Sequence, residues 1–509
     1  MSDARPVRDT VPQLLWAVEA VFLLCIVALA AQLRWEQFAH GYTSDELSNI
    51  MVGSAAEIYD DPEAGVNPPL LRLLTNVPLS TDALVPVVGR WWSFVWSLLA
   101  VVSAWGVGRA ASGGRAAAGL LSALLLAVHP LAVVYGALYR AYAWWSGAML
   151  LHLWAGARVL ASPRARGGWV VLGATAIMLP WIHYMALPVL LAFAGVMLVE
   201  RRWGWASIYG ASFAGILPMA GPVLSQMGRR TPPGELPDEV LAKLVALDLT
   251  PPMALANPMS KMVKGLGFET FIWPLWMSIS MMGMLVAHAL FWRRLNTLQR
   301  CLSLGSGALL AVLWGIAHVQ NVRDPTVLMV VTLLGPLLVV APMRLAAGLP
   351  RRLRVARWPL LAMMVWWLFD AIPARLDYYQ ARSQHFDGLP DVVERLPAFD
   401  AARAGGDVWV HPAYLVPSVW FYLEGTHVFR APVGTACAGM GMCVQHEGVR
   451  LIGVDRVADG AHLEGLLLSF EPTWPEGFAS ECVVLERELA AGVWRCGGQE
   501  QPAVDGITP

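Results

Sequence analysis

The chain has 509 residues, 57% of them hydrophobic and only 14% charged, where a soluble globular domain carries roughly 25%. Its mean hydropathy is +0.53 and its formal net charge is −1. There is no basic stripe, which argues against nucleic acid and points to no polyanionic partner. Apolar runs of about twenty residues, the length a bilayer span needs, recur along most of the chain and define an α-helical polytopic membrane protein.

The first run, 14–33, carries Glu19 near its start and is followed by charged sequence rather than an Ala-x-Ala site. It reads as a retained first helix, not a signal peptide. In chain order the predicted spans are 13–33, 86–108, 116–135, 142–160, 168–183, 185–200, 205–224, 270–291, 299–318, 325–342 and 357–373, about eleven in all. Arg5 and Arg8 precede the first. Arg109 and Arg115 follow the second, Arg158, Arg164 and Arg166 the fourth, and Arg201 and Arg202 the sixth. Arg293, Arg294 and Arg300 follow the eighth, and five arginines from Arg344 to Arg357 follow the tenth. These arginine-rich exits mark the cytoplasmic side. The N-terminus is then cytoplasmic, and an odd number of spans puts the C-terminal segment outside, in a plasma (inner) membrane protein.

The expected division is a transmembrane domain over 1–373 and an extracytoplasmic α/β domain over 374–509. The first outer loop, 34–85, is long and acidic. Another, 225–269, is rich in proline and contains an amphipathic stretch that suits either a surface lid or plain connection. The tail alternates strand-like runs at 407–411, 450–454 and 482–485 with helix-like ones. It also holds Cys437, Cys443, Cys482 and Cys496. Without a CxxC pair, disulfides in an oxidising compartment are the expected use, and the nearest pairs are Cys437 with Cys443 and Cys482 with Cys496. Free thiols or a zinc site are the other readings.

Five short constellations could carry chemistry. Thr43-Ser-Asp45-Glu46 follows the first span. Thr43 and Glu46 fit a capping box, with both acids favoured near a helix N-terminus. Functionally, Asp45 could act as a general base on an acceptor hydroxyl. Asn67-Pro68-Pro69 precedes a leucine-rich stretch; two prolines remove donors and fix an extended entry. Another runs from His129-Pro130 through Tyr139-Arg140-Ala-Tyr142, with Arg140 between two apolar runs. There an arginine either snorkels or offers a guanidinium to phosphate oxygens. Arg323 sits similarly beside Asp324, with which it could simply pair. His183-Tyr184, ending the fifth run, either binds a hydroxyl or caps its helix.

In this order, these features resemble the GT-C superfamily of lipid-dependent glycosyltransferases. The likeness is greatest to the branch with protein O-mannosyltransferases, aminoarabinose transferases and Rgt-type bacterial enzymes. Asp45-Glu46 matches the family's acidic motif in the first outer loop, and Arg140-Ala-Tyr142 its Arg-x-Tyr motif. Asn67-Pro68-Pro69 matches its His-Pro-Pro or Lys-Pro-Pro motif, with Asn67 where the family has a cation or imidazole. Arg323 ahead of Pro336 matches a later outer arginine. The resemblance implies a polyprenyl-phosphate-linked sugar donor, an extracytoplasmic acceptor (lipid, glycan or protein) and transfer with inversion. It implies Asp45 as base with Glu46 orienting it, Arg140, Tyr142 and Arg323 on the donor phosphate, and Asn67, His183 and Tyr184 on substrate. No cofactor is expected, although two adjacent carboxylates could hold a divalent metal. The competing readings are a lipid-linked polysaccharide ligase or flippase-like protein and a non-catalytic membrane scaffold. A transporter would place its charges near the midplane and show internal repeats, neither of which the sequence displays.

Overall fold

The structure is a computed structural model. It describes residues 10–39, 46, 70–76, 84–219, 292–319, 328–337, 339–340, 393, 407–411, 416–424, 443–446, 449–453, 465–469, 482–488 and 491–496. The chain forms two compact units. The first comprises Met1–Gln37, Gly53–Val77 and Val88–Tyr379, the second Phe38–Val52, Pro78–Val87 and Gln380–Pro509.

The first unit is helical. Its described helices are α1 (Thr10–Trp35), α2 (Leu70–Asn76), α3 (Leu84–Ala111), α4 (Ala116–Val128), α5 (Pro130–Ala137), α6 (Ala141–Ala161), α7 (Arg166–Ile182), α8 (Ala186–Val199), α9 (Trp203–Ile216), α10 (Thr297–Val319) and α11 (Leu328–Leu337). Among the described residues, α1 and α3 are long and apolar enough to cross a membrane; α7, α8 and α11 are apolar but shorter. The predicted spans 270–291 and 357–373 and the loop 225–269 lie outside the described residues. Only 11% of the apolar stretch of α1 is buried, and Leu15, Val18, Val21, Phe22, Leu24 and Leu29 face outward. A continuous apolar face of this kind suits hydrocarbon rather than water.

The third predicted span, 116–135, is not one helix. It breaks at His129, and α4 and α5 meet at a bend of 63°. Pro130 causes this: it has no N–H to give Leu126 and its ring crowds that carbonyl, so it opens a new helix at its first position instead.

Small residues let the helices pack closely, as in membrane bundles. Ala30 of α1, Val101 of α3, and Ala123 and Ala127 of α4 form one buried cluster. Helix pairs α6–α7, α8–α10 and α7–α9 also pack together. Several helix ends meet at one end of the unit. Asn296 Nδ2 and Gln299 Nε2 both donate to Ala111 O, at 3.2 and 3.1 Å, tying the start of α10 to the end of α3. Glu200, capping α8, accepts from Thr297 Oγ1 at 2.7 Å and pairs with Arg300 at 2.8 Å and Arg202 at 3.1 Å. Trp205 at the start of α9 stacks edge-on against Trp169 of α7, ring centroids 5.5 Å apart. Here too the turns are tight. Gly113 and Gly114 take left-handed φ of 79° and 92° between α3 and α4. At the same end of α3, Arg109 pairs with Glu19 at 2.8 Å and lies over the Trp16 ring, which accounts for an acid inside the first apolar run.

The second unit contains a six-stranded sheet: β1 (Asp407–His411), β2 (Cys443–His446), β3 (Val449–Gly453), β4 (Gly465–Ser469), β5 (Cys482–Glu488) and β6 (Ala491–Cys496), in the order β2-β3-β1-β4-β6-β5. β1 is parallel to both β3 and β4, and the outer pairings are antiparallel. Leu466, Leu467 and Leu468 in succession are buried, so both faces of the central strand β4 are covered, as parallel strands require. Helix α12 (Val416–Glu424) follows β1 and buries Val416, Val419 and Trp420. The strand-like runs of the tail are thus β1, β3 and β5. Cys482 stands directly opposite Cys496 in the β5–β6 ladder. Cys443 lies in β2, opposite Ile452; Cys437 is outside the described residues.

Candidate functional site

The break at His129 decides where the site lies. α5 runs for only eight residues, and the chain then passes through Leu138, Tyr139 and Arg140 in extended or tightly turned form before α6 begins at Ala141. Arg140 N donates to Leu138 O at 2.7 Å. Arg140 is the N-cap of α6 and is 8% exposed. A cation is the wrong charge for a helix N-terminus by dipole alone, so its retention there is not explained by local helix chemistry.

Three sequence-selected residues come together at this end of α6 and α7. The Arg140 guanidinium carbon lies 5.9 Å from the centre of the Tyr142 ring. Tyr142 in turn faces His183, ring centroids 5.7 Å apart, and meets Tyr135 of α5 edge-on at 5.5 Å. His183 caps α7 and accepts from Met185 N through Nδ1 at 3.2 Å, and Arg140 is within electrostatic reach of it. Tyr184 follows, half-buried. The result is a guanidinium flanked by aromatic rings and an imidazole, a set able to grip an anionic oxygen cluster and stack on a sugar face.

Helix α2, which follows Pro68-Pro69, packs on α7. Its Thr75 hydroxyl is hydrogen-bonded to the Tyr139 hydroxyl, so the proline-led helix reaches the residue next to Arg140. The Tyr139 ring lies against Gly89 of α3 so closely that a Cβ there would collide with it. Two further buried arginines occupy these neighbouring elements: Arg72, three residues before Thr75, and Arg90, beside Gly89. Sequence reasoning passed over both, because a charge inside a leucine-rich stretch reads as the polar face of an amphipathic helix.

Asp45, Asn67 and Arg323 lie outside the described residues. Glu46 is helical and fully buried, within the second unit. Arg140 falls in the first unit.

No protein-family model matches the sequence, and no curated protein matches it. Among solved structures the chain is similar to the Archaeoglobus fulgidus oligosaccharyltransferase in the apo form. The TM-score is 0.47 at 12% identity, over 81% of this chain and 65% of that one. The chain thus spans about two thirds of that protein's length. It is also similar to apo ArnT from Cupriavidus metallidurans, with TM-score 0.46 at 14% identity, over 94% of this chain and 99% of that one.

Proposed function

We propose that this protein is a membrane glycosyltransferase that moves a sugar from a polyprenyl-phosphate donor to a hydroxyl on the outer side of the membrane. One observation carries the reading. The arginine-rich exits after α3, α6, α8 and at the start of α10 gather at one end of the helical unit. Arg140, Tyr142 and His183 gather at the opposite ends of α6 and α7. If the arginine-rich end is cytoplasmic, Arg140 is a buried cation at the outer surface, where a lipid-linked phosphate would present its charge.

In this reading the acceptor hydroxyl attacks the anomeric carbon, the bond from that carbon to the phosphate oxygen breaks, and configuration inverts. Asp45 takes the hydroxyl proton and Glu46 orients it. Arg140, with Tyr142 beside it and Arg323 as a second cation, stabilises the charge that grows on the departing polyprenyl phosphate. Asn67, His183 and Tyr184 contact the substrate. The N-terminus is cytoplasmic and the sheet-bearing unit extracytoplasmic, where Cys482 and Cys496 give up two electrons and two protons to a disulfide-donating partner and join.

The test is sugar transfer from a polyprenyl-phosphate donor in nanodiscs. Asp45→Asn keeps the shape and removes the basicity; turnover should fall by about 10²–10⁴-fold with donor binding retained. Arg140→Lys keeps the charge and loses the bidentate fork, so binding and rate should both weaken. Glu46→Gln should cost less than Asp45→Asn. Near wild-type turnover in Asp45→Asn would sink the assignment.

A further inference from the structure

Arg34, at the end of α1, is completely buried. Its Nε donates to Ser97 Oγ at 2.5 Å, one terminal nitrogen to Ala30 O at 3.0 Å and Ala127 O at 2.8 Å, and the other to Leu126 O at 3.2 Å. Four of its five N–H groups are therefore used. All four acceptors are neutral, so the contacts are not those of an ion pair.

Two of those acceptors are special. In an unbroken helix Leu126 O would receive the N–H of residue 130 and Ala127 O that of residue 131. Residue 130 is proline, and residue 131 belongs to the first turn of α5, directed away by the 63° bend. The break thus strips α4 of the partners for its last two interior carbonyls, and Arg34 supplies replacements from a helix some ninety residues earlier. The guanidinium also touches the outgoing side of the elbow. A Cβ on Gly136 would lie 2.6 Å from Ser97 Oγ and 2.7 Å from Arg34 Nε; only glycine lets α5 pass this close. Four residues after Gly136 comes Arg140. A cavity of about 10 Å³, bounded in part by Arg34, Ser97 and Ser146, adds space for roughly one water at the same elbow.

We propose that Arg34 is a positioning residue for Arg140. By serving the two carbonyls that the break at Pro130 leaves open, it fixes the angle at which α5 departs, and so the place where the chain delivers Arg140. The inference rests on the phosphate-binding role given to Arg140 above. Lysine is no substitute, because a single ammonium cannot present a planar fork to carbonyls on two sides of a bend.

The experiment uses the full chain in nanodiscs and polyprenyl phosphate, without a sugar, as the probe. Arg34→Lys should weaken binding about tenfold, the effect of losing a buried hydrogen bond. In an Arg140→Ala background the same change should cost nothing more, because the residue it acts through is gone. Losses that simply add would overturn the proposal and leave Arg34 a packing residue. Ser97→Ala, which removes only the Nε acceptor, is the milder second variant and should move binding in the same direction by less.

A second arm needs no ligand. Backbone amides of 131–140 should exchange about tenfold faster in Arg34→Lys, while those of 172–180 in α7 stay unchanged. A uniform rise, or none at 131–140, would refute the elbow role. If wild-type protein ignores polyprenyl phosphate, the glycosyltransferase reading falls and the exchange pattern alone decides whether Arg34 holds the bend.

Discussion

His152 is buried in the middle of α6, stacked on Phe193, and both ring nitrogens are engaged. Nδ1 lies 3.0 Å from Thr175 Oγ1 and Nε2 3.1 Å from Tyr209 Oη. The Thr175 hydroxyl already donates to Val171 O at 2.7 Å, so it accepts from the ring. Nδ1 therefore carries a proton, and in a neutral imidazole Nε2 accepts from Tyr209. This residue ties α6, α7 and α9 together. His152→Ala leaves two buried hydroxyls short of a partner and opens a cavity, so thermal unfolding in detergent should show a loss of about 3 kcal/mol. Position 152 is about 18 Å along the helix from Arg140, so transfer per folded molecule should be preserved. At this scale the sequence revealed what stood out from its surroundings. Arg140, Tyr142 and His183 interrupt apolar runs at their ends, where a polar group needs a reason. Arg34 was missed because a charge after an apolar run reads as the run's end. The signal that would have found it sits elsewhere: Pro130 within a span leaves a carbonyl that something must serve.

The broken helix α4–α5 makes a prediction of its own. If Arg34 replaces the N–H that Pro130 lacks, supplying that N–H should relieve the need for Arg34. Arg34→Leu alone should destabilise the protein, with two buried carbonyls unserved at about 1–3 kcal/mol each. Arg34→Leu with Pro130→Ala should recover part of that loss, about 1 kcal/mol, by chemical or thermal denaturation. A double variant weaker than the sum of the singles would mean the carbonyls find no new donor. In the sheet, the β5–β6 register sets a second test. Directly opposed residues on antiparallel strands have Cα atoms roughly 4.5–5.5 Å apart, inside the range a disulfide spans. Non-reducing peptide mapping of the membrane-extracted protein should show Cys482 linked to Cys496, and reduction should lower stability by roughly 3 kcal/mol for a loop of about fifteen residues. The three strand-like runs in the tail were legible because they are short, β-branched and apolar. The span boundaries were not, because run length alone cannot distinguish a straight helix from two helices joined at an elbow.

For the whole molecule, the orientation is the quantity on which the function depends. Reporter fusions after Arg202 and after Arg375 should give cytoplasmic and exterior signals respectively; the reverse result would place Arg140 on the wrong side for a donor displayed outside. Ala111, Glu200, Arg202 and Arg300 gather at one end, so arginines from loops far apart in sequence share one surface. The segments Phe38–Val52 and Pro78–Val87 cluster with the C-terminal residues, an association no local pattern encodes.

The donors of Arg34 also bear on how the protein is made. A membrane chain enters the bilayer from its N-terminus, and α1 is in place long before the proline-broken hairpin emerges. The group that satisfies the break is thus already waiting when the break arrives, and the two open carbonyls of α4 need not face lipid unserved during insertion. A chain in which α1 were moved behind the hairpin would hold the same contacts when finished, yet would have to pass through a stage in which its weakest point is bare.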